Sequence, residues 1–330
     1  MAHSNSSLNC FAACMAKYDH CYVKHTKPCK PPSPHLRFGT IAHEVLYNAG
    51  VLRDEYRDGV VDTEQYYNVI PSEILHQDLK NEFAINSWQQ YFTPIIKQVA
   101  EYEKECIDEL KNDVQIEREI KLQLTVEQLN QLGYYEIKQP VVGVIDCLIY
   151  NKTSAIILDY KFSTTKKGQD EFDMNSQLPL YALMVHILYD IPLHNIKVGY
   201  IDIPKQMFGV PTVLSNGTLS RNKSQNVSKE LYEKAVIAIH GDDEYYNCKP
   251  GGYYYDCWCN LAFNKCAYLT MQYIDIDAME GITEDLMHAA KMIDIMREHN
   301  MPFLKKYDAY TCKNCEYLYA CKPWLSVGEF

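Results

Sequence analysis

Residues 143–161, GVIDCLIYNKTSAIILDYK, set Asp146 in one apolar run and Asp159, Tyr160 and Lys161 at the end of a second. Two carboxylates and a lysine on paired strands can hold a divalent cation and activate a water. That chemistry is metal-assisted hydrolysis, with a nucleic-acid phosphodiester as the leading substrate class. Hard oxygen donors suit Mg2+ or Mn2+. The runs 141–150 and 154–161 are short, apolar and rich in β-branched residues, and Asn151-Lys152-Thr153 between them is turn-forming, so the pair reads as a β-hairpin. With Lys152 and Thr153 as the loop, Asp146 faces Asp159. Like charges directly opposite each other destabilise a sheet, and a bound cation is the natural compensation. Residues two apart on a strand share a face, which puts Lys161 beside Asp159 to hold a water or offset phosphate charge. A slip of one residue would separate the acids. The plainer alternative is that both acids mark strand ends. Against it, they interrupt apolar runs, and buried acids are rare unless paired or metal-bound.

The elements that must position these residues follow from the pattern around them. Residues 8–22 and 36–48 read as helices, the second after Gly39, and 72–112 as a long, acidic, largely helical region. Residues 114–124 alternate and read as a strand, with Val114, Ile116, Ile120 and Leu122 apolar. Residues 175–189 read as a helix with Pro179 in its first turn, 196–203 as a strand, 206–230 as a loop, and 229–239 and 282–299 as helices. The order points to an α/β fold with a mixed sheet.

Composition sets bounds on function. A chain of 330 residues with 47% hydrophobic content can build a real core. No apolar run is long enough to span a bilayer, and the N-terminus lacks the basic start and apolar centre of a signal peptide. A cytoplasmic location is therefore expected. A net charge of −11 argues against passive whole-surface binding of a polyanion. It leaves room for local basic runs at 24–30, 161–167 and 221–229, each of which could equally be solvated surface. Thirteen cysteines, an odd number, fit metal or cluster binding better than a disulfide framework.

Cys312, Cys315 and Cys321 can converge on one metal centre, and a closed site wants a fourth ligand. Cys14 is the choice, with Cys10 competing. Four thiolates without a nearby histidine favour a 4Fe–4S cluster or Zn2+, and such a site would clamp the chain ends together. The alternative is separate reduced cysteines. Cys248, Cys257, Cys259 and Cys266 form a second, irregularly spaced group that could bind Zn2+.

In their order, these residues resemble the PD-(D/E)XK nuclease superfamily, specifically its RecB-like iron–sulfur branch. CRISPR-adaptation nucleases, the AddB nuclease domain and many phage exonucleases belong there. Ser7-Leu8-x-x-Phe11-x-x-Cys14-x-x-x-Tyr18 is similar to the N-terminal cysteine motif, and Gly39-Thr40-Ile41-Ala42-His43 to the G-x-x-x-H helix. Gly143-Val144-Ile145-Asp146 and Asp159-Tyr160-Lys161 resemble the metal motifs, and Gln177-x-x-x-Tyr181 the Q-x-x-x-Y helix. Cys312, Cys315 and Cys321 fall where the last three cluster ligands lie, and 216–225 is similar to a run in phage members. Met15 departs from the proline that often follows the first cysteine, and the cysteine-rich insertion is outside the common core.

The resemblance implies a restriction-endonuclease-like core in one domain over 1–330. Its core motifs lie at about 36–203, the insertion at about 245–266, and the cluster segments at about 8–22 and 305–325. It implies a metal held by His43, Asp146, Asp159 and the Tyr160 carbonyl. Read alone, His43 would be a packed helix histidine. Lys161 would position water or stabilise the phosphate, and Gln177 and Tyr181, on one helix face, would orient Lys161 or the DNA backbone. Glu117 or Glu119 could add a carboxylate, or both could face solvent. The expected partner is DNA, single-stranded or with free ends, with recombination or replication proteins beside it and no membrane. Three readings compete: a metal-dependent DNA exonuclease or endonuclease, a non-catalytic DNA-binding accessory protein, and a zinc-stapled structural protein.

Overall fold

The computed structural model describes residues 2–56, 65, 68–70, 76–83, 85, 87–163, 168–204, 212–220, 229–260, 267–306 and 308–322. Cys266 and most of the basic runs at 161–167 and 221–229 lie outside the described residues, as does most of 206–230. The elements used below are β1 (His3–Ser4), α1 (Asn5–Ala13), α2 (Pro34–Glu55), α3 (Trp88–Leu110), β2 (Gln115–Leu124), β3 (Val141–Tyr150) and β4 (Ala155–Ser163). They continue with α4 (Gln177–Tyr189), β5 (Ile196–Pro204), α5 (Lys229–His240), β6 (Tyr268–Tyr273) and α6 (Ile276–Glu298).

The hairpin forms with the register expected from its turn. Cys147 pairs with Leu158 and Tyr150 with Ala155, and the Asn151 side chain caps the loop by accepting the Thr153 and Ser154 amides at 2.9 Å. β2 runs antiparallel along one whole edge of β3. The other edge is shared: β1 pairs in parallel with Val141 and Val142, and β4 pairs only from Cys147 onward. Residues 143–146 therefore have no strand partner on that edge among the described residues. From β4 the chain crosses through α4 to the parallel strand β5, and β6 adds antiparallel beyond it.

Helices cover both faces of this mixed sheet. α1, α4 and α6 bury Leu8, Phe11, Leu180, Met184 and Ile293 against Ile145, Ile157 and Val198. α2 and α3 bury Phe38, Leu46, Phe92 and Ile96 against Ile149, Ile156 and Ile201. β4 alternates regularly between the two cores, with Ala155 and Ile157 to the first and Ile156, Leu158 and Tyr160 to the second. β2 and β3 do not. Ile116 packs toward the second core but Ile120, Leu122 and Leu124 toward the first, and in β3 Ile145 faces the first core while Cys147 faces the second. Both strands reverse their faces at the same level, at Glu119 and Asp146.

Several boundaries differ from expectation. α2 starts at Pro34, before Gly39, because Ser33 caps it by accepting the Leu36 amide and Pro34 needs no amide partner there. α6 starts at Ile276 rather than 282, where the Asp275 side chain accepts the Ala278 amide. Within 72–112, the described residues form helices at Gln77–Glu82 and α3. Strands β1 and β6 carry no usable local pattern and exist through pairing with β3 and β5. Val213, Tyr232, Val236, Cys248 and Tyr254 build a separate small core.

Candidate active site

The cleft opens where β3 and β4 part. Beyond the last paired rung, the Asp146 carboxylate replaces the missing backbone acceptor: its Oδ2 takes the Tyr160 amide at 2.7 Å. Oδ1 lies 3.3 Å from His43 Nδ1, presented by α2. Glu119 arrives from β2 with a positive φ of 47°. His43, Glu119 and Asp146 each bring one donor atom within 4.8 Å of the others, the group of this kind found among the described residues. Glu117 goes elsewhere, accepting the Tyr150 hydroxyl at 2.6 Å and the Tyr189 hydroxyl at 3.2 Å. Two glutamates two apart are equivalent in a regular strand, so no signal in the sequence separated them.

Asp159 and Lys161 face α4, as their parity requires. Asp159 is 2% exposed, and Lys161 Nζ lies 2.5 Å from its Oδ2. The ammonium also donates to Gln177 Oε1 at 2.9 Å, and Gln177 Nε2 donates to the Tyr181 hydroxyl at 2.6 Å. Asp159 thus stands outside the three-donor group, turned to its lysine. Gly143 makes the close approach of α4 possible, since a Cβ there would meet the Tyr181 ring at 2.7 Å. His43, Glu119, Asp146, Lys161, Gln177 and Tyr181 line one cleft of ≈ 750 Å³, with Tyr160 in its wall.

The charges are mutually unfavourable as they stand. Burial and then Asp146 push the Asp159 carboxyl up to about 7, although Lys161 pulls the other way. Burial and Asp146 also raise Glu119. Burial works against protonated His43, but the hydrogen bond and charge of Asp146 outweigh it and raise the imidazole. Asp159 is buried and Glu119 is exposed in the cleft, and acids crowded together and drawn toward protonation are the environment a divalent cation relieves. The carboxylate donors fit Mg2+ or Mn2+, and the imidazole nitrogen, a softer donor, fits Mn2+ better than Mg2+.

Behind the cleft lies a buried ionic network. Glu103 on α3 accepts from Arg118 at 3.0 and 2.8 Å, from Arg53 at 2.7 Å and from the Tyr160 hydroxyl at 2.6 Å. Arg118 also donates to Asp54 at 2.7 Å. None of these partners could be read from local sequence.

At the chain ends, Cys14, Cys312, Cys315 and Cys321 line one small cavity. Cys10 packs against the core beneath α1 instead. The Tyr317 amide donates to Cys315 Sγ at 3.4 Å, and Lys322 Nζ to Cys312 Sγ at 3.0 Å. Lys17 pairs with Glu316 at 3.2 Å, and the Cys29 amide donates to the Glu316 carbonyl at 2.8 Å, so both ends meet there. Of the second cysteine group, Cys248 is buried in the small core, Cys257 packs beside Gly217 and Cys259 is exposed.

A family model described as the PD-(D/E)XK nuclease superfamily matches residues 2–322. Among solved structures, the chain is similar to a Eubacterium rectale protein provisionally described as an exonuclease, at 10% identity and a TM-score of 0.40, over 95% of this chain and 92% of that one. It is also similar to the protein SSO0001, at 12% identity and a TM-score of 0.26, over 86% of this chain and 96% of that one. No curated protein matches it.

Proposed function

Because the chain belongs to the PD-(D/E)XK nuclease superfamily, we propose that it is a metal-dependent DNA exonuclease of the RecB-like iron–sulfur branch, acting in phage-type replication, recombination or repair. The observation that carries this reading is the junction of two groups in one cleft. One is the His43–Glu119–Asp146 donor set, and the other the Asp159–Lys161–Gln177–Tyr181 chain.

His43, Asp146, Asp159 and the Tyr160 carbonyl would hold Mg2+ or Mn2+. When bound, the cation acts as a Lewis acid and lowers the pKa of its water. The side chains do the rest. Lys161 carries its positive charge to the edge of the cleft, where it orients a water or offsets charge building on the phosphate. Gln177 holds the ammonium on that heading, and Tyr181 holds Gln177. Asp146 holds this end of β4 in place by accepting the Tyr160 amide.

Cys14, Cys312, Cys315 and Cys321 would hold a 4Fe–4S cluster. All four thiols line the one small cavity where the chain ends meet, and Zn2+ is the alternative occupant of four thiolates. The cluster would tie both chain ends into one nuclease domain bearing the cysteine-rich module as an insertion. No helix among the described residues is long and apolar enough to cross a membrane, and we read the protein as cytoplasmic.

The test is cleavage of end-labelled linear and closed circular DNA with Mn2+ or Mg2+, using anaerobically purified chain and Lys161→Ala. Cutting confined to linear DNA and lost in the variant is expected. Equal cutting of closed circles would make the enzyme an endonuclease. DNA binding without cleavage by cluster-loaded protein would make it an accessory protein.

A further inference from the structure

Glu119 holds a backbone conformation that a glutamate within a strand has no local reason to adopt. Its φ of 47° lies in the left-handed region, where the Cβ of any residue but glycine crowds the following carbonyl oxygen. Its neighbours explain the twist. Arg118 faces the α2–α3 core, where its guanidinium, 5% exposed, is gripped by Glu103 and Asp54. Gly50 of α2 leaves room for it, since a Cβ there would come within 2.5 Å of the guanidinium. Ile120 packs into the opposite core. In a regular strand these two residues share a face, so the residue between them absorbs the reversal.

The facing strand does the same. Arg118 pairs with Cys147 and Ile120 with Ile145, which sets Glu119 across from Asp146 at the level where both strands reverse. Two carboxylates therefore leave adjacent strands side by side, toward His43. Like charges so placed repel. A strained backbone that also brings acids together persists only when the surrounding structure imposes it, and such sites cluster where function needs them.

Resting on the nuclease reading above, we propose that Glu119 is a further ligand of the divalent cation, and that the buried Arg118–Glu103 pair is the positioning device that turns its carboxylate into the site. Arg118 touches neither cation nor substrate. It acts through the chain direction it imposes on its neighbour.

The test is Mn2+ binding to the whole anaerobically purified chain, read from the electron paramagnetic resonance of the free ion, with the urea midpoint measured beside it. Glu119→Gly is expected to weaken Mn2+ binding about tenfold or more, while its urea midpoint holds or rises, because glycine takes a positive φ without strain. Glu119→Gln should weaken binding similarly. Arg118→Lys keeps the charge but loses the two-pronged grip, so it should weaken binding when Glu119 is present and add nothing in Glu119→Gly. Equal losses in both backgrounds would overturn the positioning role. If Asp146→Asn abolishes Mn2+ binding and Glu119→Gly leaves it unchanged, the inference fails and the nuclease reading stands. A wild-type chain that binds no Mn2+ would bring down the reading and the inference with it.

Discussion

Replacing Glu103 by glutamine keeps the size and removes the charge on which three groups converge. The carboxylate is 2% exposed and is shared by Arg53, Arg118 and the Tyr160 hydroxyl. Burial alone would raise its pKa, but the two guanidiniums outweigh that and hold it at about 2, against an ordinary 4.5. The difference corresponds to about 3 kcal/mol in favour of the charged form. Removing one partner of a buried pair typically costs about 3–5 kcal/mol, because the other charge is left without compensation. We expect Glu103→Gln to lose about 3 kcal/mol at pH 7, read from the urea midpoint at unchanged slope. The sign of the pH dependence follows from the depressed pKa. The stabilisation is fully present above 4.5 and fades as pH falls toward 2, so wild type and variant should converge in acid. Tyr160→Phe removes a single hydrogen bond to the same carboxylate and should cost about 1.5–3 kcal/mol. A loss below about 1 kcal/mol for Glu103→Gln, or a gap that persists undiminished at pH 2, would refute the account of this network.

Other outcomes follow from the same geometry. Lys161→Met should lower kcat by about 10²–10³-fold while Mn2+ affinity in a direct titration holds, since in the proposed role the lysine would meet the phosphate rather than the metal. Gly143→Ala should cost about 1–3 kcal/mol in urea unfolding and depress cleavage further than that loss explains. The added methyl group meets Tyr181 at 2.7 Å and Met184 at 3.1 Å and displaces the helix carrying Gln177. Cys14→Ser should reduce the iron bound per chain and lower the melting temperature, whereas Cys10→Ser should leave the iron content unchanged. Chelation of divalent metal should abolish cleavage, and added Mn2+ should restore it.

Asp146, Asp159 and Lys161 were legible because their relation is local. A two-residue turn fixes the pairing up to Cys147 and Leu158, and the two-residue repeat of β4 puts Asp159 and Lys161 on one face, but the expected Asp146–Asp159 rung does not pair and β3 reverses its face at Asp146. Gln177 and Tyr181 were legible for the corresponding reason on a helix. His43 and the four cysteines could be named from ordered motifs, but their meeting depends on segments hundreds of positions apart. The choice between Glu117 and Glu119 was beyond the sequence. It is made by Arg118, whose guanidinium is drawn to Glu103 and Asp54 on two helices that come earlier in the chain, so the strand reverses one residue later. Local covalent geometry therefore determined the hairpin, its acids and its lysine. The third carboxylate, the cysteine cavity and the network that braces the site were decided only when distant charges were buried together, because a buried charge must find its partner wherever the fold places one.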